Sequence, residues 1–169
     1  MHLYLVRHAK PEANSGDSPL GTEGVEQASM LGELFKGLNP SHESLRLLSS
    51  SASRARQTAE AICDKLGISS EELGIFPAPI DNIPGMDLSD RLMQRLRKIT
   101  TDEGRNQIIV IGHWDYIGKA IALLIGDPAF KLQNIYGVVA CLECQNTFMQ
   151  GEGNLRWLVL PLVATAMPN

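Results

Sequence analysis

Arg7 and His8 stand side by side just after a short apolar run, Leu3-Tyr4-Leu5-Val6. Arg54 opens a helical pattern that follows Ser49, Ser50 and Ser51, and His113 comes directly after the run Gln107-Ile108-Ile109-Val110-Ile111-Gly112. An imidazole can attack phosphorus when one ring nitrogen is unprotonated and faces it while the other N–H is held by an acceptor. A guanidinium presents a planar fork of donors suited to phosphate oxygens, and a protonated second imidazole adds charge. Phosphoryl transfer asks for little beyond a nucleophile, positioning and charge stabilisation. Taken singly, each residue has a plainer reading. Arg7-His8 fits a solvated loop, His113 fits a cap or packing residue, and Arg54 fits one more charge on a helix that also carries Arg56 and Lys65. Their joint placement after three separate apolar runs points to an anion pocket of phosphoryl size.

That reading requires the runs to be strands of one sheet. Residues 3–6, 45–49 and 107–112 read as buried strands, the last the strongest because four consecutive β-branched residues end at Gly112. Helical patterns cover 22–36, 53–66, 89–101 and 117–124, the last stopped by Gly126-Asp127-Pro128. Residues 138–143 and 155–160 read as a terminal hairpin around Gly151-Glu152-Gly153-Asn154. The rhythm predicts a three-layer α/β/α sandwich, its central sheet mostly parallel with an antiparallel C-terminal hairpin, forming one domain over residues 1–169. Ligands of such sheets bind at the carboxyl ends of the strands, where Arg7, His8, Ser51, Arg54 and His113 would gather.

Composition sets the outer bounds. The 169 residues are 44% hydrophobic and 20% charged, with a formal net charge of −4, so no global field draws nucleic acid or an acidic membrane surface. Cys63, Cys141 and Cys144 make no disulfide framework. Cys141-Leu-Glu-Cys144 spells a CxxC, but no second pair stands at metal spacing, and the plainer reading is two thiols at a strand end. The start of the chain lacks the basic and apolar regions of a secretory signal, and no apolar run is long enough to span a bilayer. The expected location is the cytoplasm.

Leu5-Val6-Arg7-His8-Ala9 resembles the R-H-G/A signature of the histidine phosphatase (phosphoglycerate mutase-like) superfamily. Leu20-Gly21-Thr22-Glu23-Gly24-Val25-Glu26-Gln27-Ala28 is similar to that family's L-T-x-x-G-x-x-Q-A helix opening. Ser50-Ser51-Ala52-Ser53-Arg54-Ala55-Arg56-Gln57-Thr58-Ala59 resembles its S-x-x-x-R-A-x-Q-T segment, and Val110-Ile111-Gly112-His113 its later strand-then-histidine element. The segments occur in family order across nearly the whole chain. The resemblance implies His8 as nucleophile, with Arg7, Arg54 and His113 binding the phosphate and Ser51 near the pocket. It also implies that no metal or organic cofactor takes part. Within the superfamily the length, the R-A-x-Q-T segment and the terminal hairpin most resemble the small SixA-type phosphohistidine phosphatases.

The chain departs from the pattern in places. Many members carry a glutamate that protonates the leaving oxygen, whereas the corresponding stretch here reads Ile80-Asp81-Asn82-Ile83-Pro84-Gly85-Met86-Asp87. Asp81, Asp87 and Asp115 are the candidate general acids in its place, although Asp115 also fits a first-turn carboxylate favoured by the helix dipole. A site without a strong acid suits cleavage of a phosphoramidate, whose imidazole leaves readily, better than cleavage of an alkyl ester. Gly21 stands where the family has threonine. Trp114 either lines the pocket mouth and stacks on a substrate or packs under the sheet edge. The expected function is hydrolysis of phosphohistidine in a partner protein. The alternatives are a phosphatase of small phosphorylated molecules, a mutase, or a binding module that has lost its chemistry.

Overall fold

The structure is a computed structural model that describes residues 1–14, 16–76, 88–145 and 148–160. Strand β1 (His2–Arg7) leads to helix α1 (Thr22–Leu38), then β2 (Leu45–Ser50), α2 (Ser53–Leu66), β3 (Gly74–Phe76), α3 (Leu88–Asp102), β4 (Gln107–Gly112), α4 (Trp114–Ile125), β5 (Val139–Cys144) and β6 (Gly153–Val159). The strands form one six-stranded sheet in the order β3-β2-β4-β1-β5-β6. β3, β2, β4 and β1 run parallel, while β5 pairs antiparallel with β1 and β6 antiparallel with β5.

Alternation along the central strands divides their side chains between two cores. Leu3, Leu5, Ile108 and Val110 pack with Leu96 and Ile99 of α3 and Ile117 and Ile121 of α4. Tyr4, Val6, Ile109 and Ile111 face the other way, against Phe35 of α1 and Ala59 and Ile62 of α2. Each fully buried aliphatic side chain of this kind contributes about 1.5–3 kcal/mol. The sandwich and its antiparallel hairpin are as the sequence predicts.

The differences are local. β3 is a three-residue edge strand, too short to leave a periodic signal. Helix α4 begins at Trp114, earlier than its apolar stripe suggests, because extended His113 (φ −116°, ψ 150°) serves as its N-cap. Cys141 lies in the α1–α2 core and Cys144 in the α3–α4 core, on opposite sides of β5. Burial pushes both thiols up to about 11, so the CxxC is a pair of packed, protonated side chains. No helix among the described residues is long and apolar enough to cross a membrane.

The segment between β1 and α1 crosses the carboxyl edge of the sheet and is tied down by the polar residues of the family motifs. The Ala9 N–H donates to Thr58 Oγ1 (3.1 Å), the Lys10 N–H to Gln27 Oε1 (3.0 Å) and the Leu20 N–H to Gln57 Oε1 (2.7 Å). Pro11 and Leu20 form an isolated antiparallel bridge. Gly21 caps α1 without a side-chain hydrogen bond, and a Cβ there would meet Glu12 Cα at 3.1 Å, so the missing threonine leaves room for the loop. Gly24 is more constrained. A Cβ on it would stand 1.9 Å from the Lys10 carbonyl oxygen, inside any tolerable contact. Gly24→Ala must therefore push the loop away from α1, with an expected loss of about 1–3 kcal/mol in urea unfolding. An unchanged midpoint would mean that the loop is not held as described.

Candidate active site

β1 carries Arg7 as its last residue, and His8 follows it. The His8 N–H donates to the Gly112 carbonyl (2.9 Å) and the Gly137 N–H donates to the His8 carbonyl (3.2 Å), so the backbone beneath the imidazole is held from both sides. His8 Nδ1 lies 2.7 Å from the Ala9 carbonyl oxygen, and a carbonyl can only accept, so this nitrogen carries the proton. Arg54 Nε, which can only donate, reaches His8 Nε2 at 3.2 Å. Both contacts specify the same tautomer. The Nε2 lone pair faces the pocket and the Arg54 side chain.

Arg54 comes from the first turn of α2 and spans the site. Its Nη1 donates to the Gly16 carbonyl (3.1 Å) and lies 3.8 Å from Asp17 Oδ1, while Nη2 reaches His113 Nδ1 at 3.4 Å. The second contact makes Nδ1 the unprotonated nitrogen of His113. The Nε2–H then donates to Ser50 Oγ at 2.9 Å. The two imidazole centroids are 4.8 Å apart. Arg7 completes the group: its guanidinium carbon lies 3.8 Å over the Tyr136 ring, and its Nε and Nη1 are buried with no acceptor among the described residues. Buried donors of a cation without acceptors are costly, and the three oxygens of a phosphoryl group would supply them.

Burial first, and then the neighbouring Arg54 and Arg7, hold His8 down to about 4. Burial, His8 and the same arginines take His113 to about 3. Near neutral pH both rings are thus neutral: His8 as a nucleophile requires, and His113 ready to take up a proton when an anion arrives.

These groups line a pocket of about 570 Å³. Arg7, His8, Arg54 and His113 meet there, as their strand-end positions predict. Trp114 and Asp115 also line it, and the indole is 45% exposed, at the mouth and not under the sheet. Ser51 donates its backbone N–H to the Phe76 carbonyl at 2.9 Å, and it is the preceding Ser50 whose hydroxyl meets His113. Asp81 and Asp87 lie outside the described residues. Among the described residues, no three His, Cys, Asp or Glu side chains gather as a metal site would need.

Three contributors, Tyr136, Asn14 and Asp17, left little sign in the sequence. Tyr136 stacks on Arg7 and donates its hydroxyl to Asn14 Oδ1 (2.7 Å). Asp17 accepts from both the Ser53 N–H and the Ser53 hydroxyl at 2.7 Å, capping α2 from outside. These bonds hold the Asp17 carboxyl below its ordinary value. All three belong to loops, where spacing carries no periodic information; the missing cap residue at Ala52 was the one available hint for Asp17.

The profile of the histidine phosphatase superfamily (branch 1) matches residues 3–74. A curated relative, the probable phosphoglycerate mutase GpmB of Salmonella paratyphi C (strain RKS4594), is 34% identical over an alignment covering 77% of each chain. Among solved structures, the protein histidine phosphatase SixA complexed with tungstate superposes with a TM-score of 0.75 at 25% identity, covering 95% of this chain and 97% of that one. A mycobacterial glucosyl-3-phosphoglycerate phosphatase gives a TM-score of 0.69 at 16% identity, with 92% and 97% covered, a likeness of fold alone.

The depressed histidines make anion binding proton-linked. A dianion in the pocket raises His113 from about 3, so binding takes up protons and strengthens as pH falls through the interval between the free and bound values. Sulfate, which keeps its charge across the range, is expected to bind more tightly at about pH 5 than at about pH 7 at constant ionic strength. Calorimetry in buffers of different ionisation enthalpy should register the proton uptake. Equal affinity with no uptake would show that His113 stays neutral in the complex.

Proposed function

We propose that this chain, which belongs to the histidine phosphatase superfamily, removes a phosphoryl group through a phosphohistidine on His8, and that its substrate is phosphohistidine in a partner protein. The observation that carries the reading is the fixed tautomer of His8, with Nδ1–H on the Ala9 carbonyl and the Nε2 lone pair directed among Arg7, Arg54 and His113.

In the first step His8 Nε2 attacks phosphorus, the new N–P bond forms, and the bond to the leaving imidazole nitrogen breaks with its electron pair going to that nitrogen. Arg54 turns its Nε–H from the lone pair to a phosphoryl oxygen, and the unpartnered Arg7 donors and protonated His113 take the other oxygens. The His8 ring becomes cationic, and its Nδ1–H bond to Ala9 strengthens with the charge. In the second step water attacks phosphorus, the pair of the N–P bond returns to Nε2, and inorganic phosphate leaves. An imidazole departs as a neutral or readily protonated group, so this substrate class asks less of a general acid than an alkoxide, for which such help is worth about 10²–10⁴-fold. Asp115, which lines the pocket, is the candidate among the described residues for handling the water proton.

Likeness to the SixA structure supports the protein-phosphohistidine reading. Similarity to a protein named as a probable phosphoglycerate mutase favours a second one, hydrolysis of small phosphate monoesters at the same site. Mutase chemistry asks for more, because returning the phosphoryl group requires that water be excluded from the phosphohistidine.

The decisive comparison is wild type against His8→Ala on a phosphohistidine-bearing protein and on an aryl phosphate. Wild type is expected to clear phosphohistidine faster, and the variant to lose at least about 10³-fold on both substrates. Acid-labile phosphate should be trapped on wild type and absent from the variant. A wild type that prefers the ester would replace the partner-protein reading with the second one. A variant as active as wild type would remove His8 from the chemistry.

A further inference from the structure

Beside the phosphoryl pocket runs a second cavity of about 510 Å³, between the outer face of α4 and residues 128–132. The two share Trp114 and Asp115 in their walls, so they adjoin there. The lining of the second is mainly apolar: Trp114, Ala122, Pro128, Phe130 and the buried Leu132. Lys119 and Lys131 are exposed on its rim, in a chain whose formal net charge is −4, and Asp115 stands at the junction. From Trp114 to Ala122 the α4 axis rises about 12 Å, the reach of three or four extended residues.

Resting on the protein-phosphohistidine reading above, we infer that this groove receives the polypeptide flanking the phosphohistidine and selects a flank with apolar and acidic residues. The phosphoryl pocket recognises only the group to be removed, and a phosphoryl group is the same on every substrate. Discrimination between partners needs contacts outside it, and the groove adjoins the pocket at Trp114 and Asp115. Its apolar floor gives a flanking aliphatic side chain somewhere to leave water, against Phe130 and Trp114. The exposed Lys131 on the rim complements a carboxylate further along and disfavours a basic flank. A bare small ester would use none of this length.

The test uses two synthetic peptides, each phosphorylated on a single histidine with phosphoramidate. One has leucine and glutamate flanks and the other serine and lysine flanks. Wild type is expected to show about tenfold higher kcat/KM on the first. Ala122→Arg, which fills the groove, and Lys131→Glu, which reverses the rim charge, should each bring the two peptides to near parity. Turnover of free phosphoramidate, which has no flank, should be unchanged in both variants and reports an intact phosphoryl site. Lys131 is exposed, so its substitution keeps the test decisive should Ala122→Arg fail to fold. Equal rates on the two peptides in wild type, or a preference that survives both variants, would overturn the inference. A wild type that cleaves aryl phosphate but neither peptide would instead overturn the substrate reading on which it rests.

Discussion

The active arrangement depends on the parallel pairing of β1, β4 and β2. Arg7 lies opposite Gly112, and Ser49 opposite Ile111, so the chain leaves all three strands at nearly one level. Adjacent strands are about 4.8 Å apart, which places the residue after β1 and the one after β2 on either side of the residue after β4. His113 lies between, 4.8 Å from His8 ring to ring and 2.9 Å from the Ser50 hydroxyl. Arg54 then bridges both histidines from the far side. A one-residue slip between β1 and β4 would turn the Arg7 and His8 side chains to opposite faces and separate them from His113.

Concentrating positive charge and buried imidazole at one place in an acidic protein has a cost. The guanidinium of Arg7 is taken from water and keeps two donors without acceptors among the described residues, offset in part by the Tyr136 face. Both histidines are held neutral by the same burial and the same arginines. Local stability is thus given up at a site that an anion would complete: phosphoryl oxygens would satisfy the Arg7 donors and favour a protonated His113. The two guanidinium charges stand in place beforehand, as electrostatic preorganisation requires, whereas the His113 charge would be acquired with the anion.

Much of this was legible in the sequence. Helix α2 and strand β4 occupy the residues their patterns predict, because α2 has a clean period, β4 an unbroken β-branched run, and each a sharp stop: Gly67 in the left-handed region after α2, and Gly112 at the end of β4. The strand-end logic brought Arg7, His8, Arg54 and His113 to one pocket from spacing alone. What stayed hidden depends on how loops fold back. Tyr136 is remote in sequence from Arg7, and nothing in its neighbours marks it as the platform under a guanidinium. Among the three consecutive serines, composition cannot say which hydroxyl turns to His113; strand alternation and the exit of the chain at Ser51 decide it.

The family motifs themselves take on a physical meaning in this setting. Of the residues quoted for the resemblance, Gln27, Gln57 and Thr58 do not line the pocket, and each accepts a backbone N–H from the segment between β1 and α1. Thr58 also donates its hydroxyl to the Arg54 carbonyl at 2.7 Å, so one side chain ties the backbone after His8 to the backbone of Arg54. The Gly16 carbonyl and Asp17, in the same segment, hold the other side of Arg54. The loop therefore positions His8 and Arg54 together, and displacing it moves both at once. A motif that looks like scattered polar residues on two helices is a set of fixings for one loop, which is why its spacing follows the helices while its purpose lies at the sheet edge.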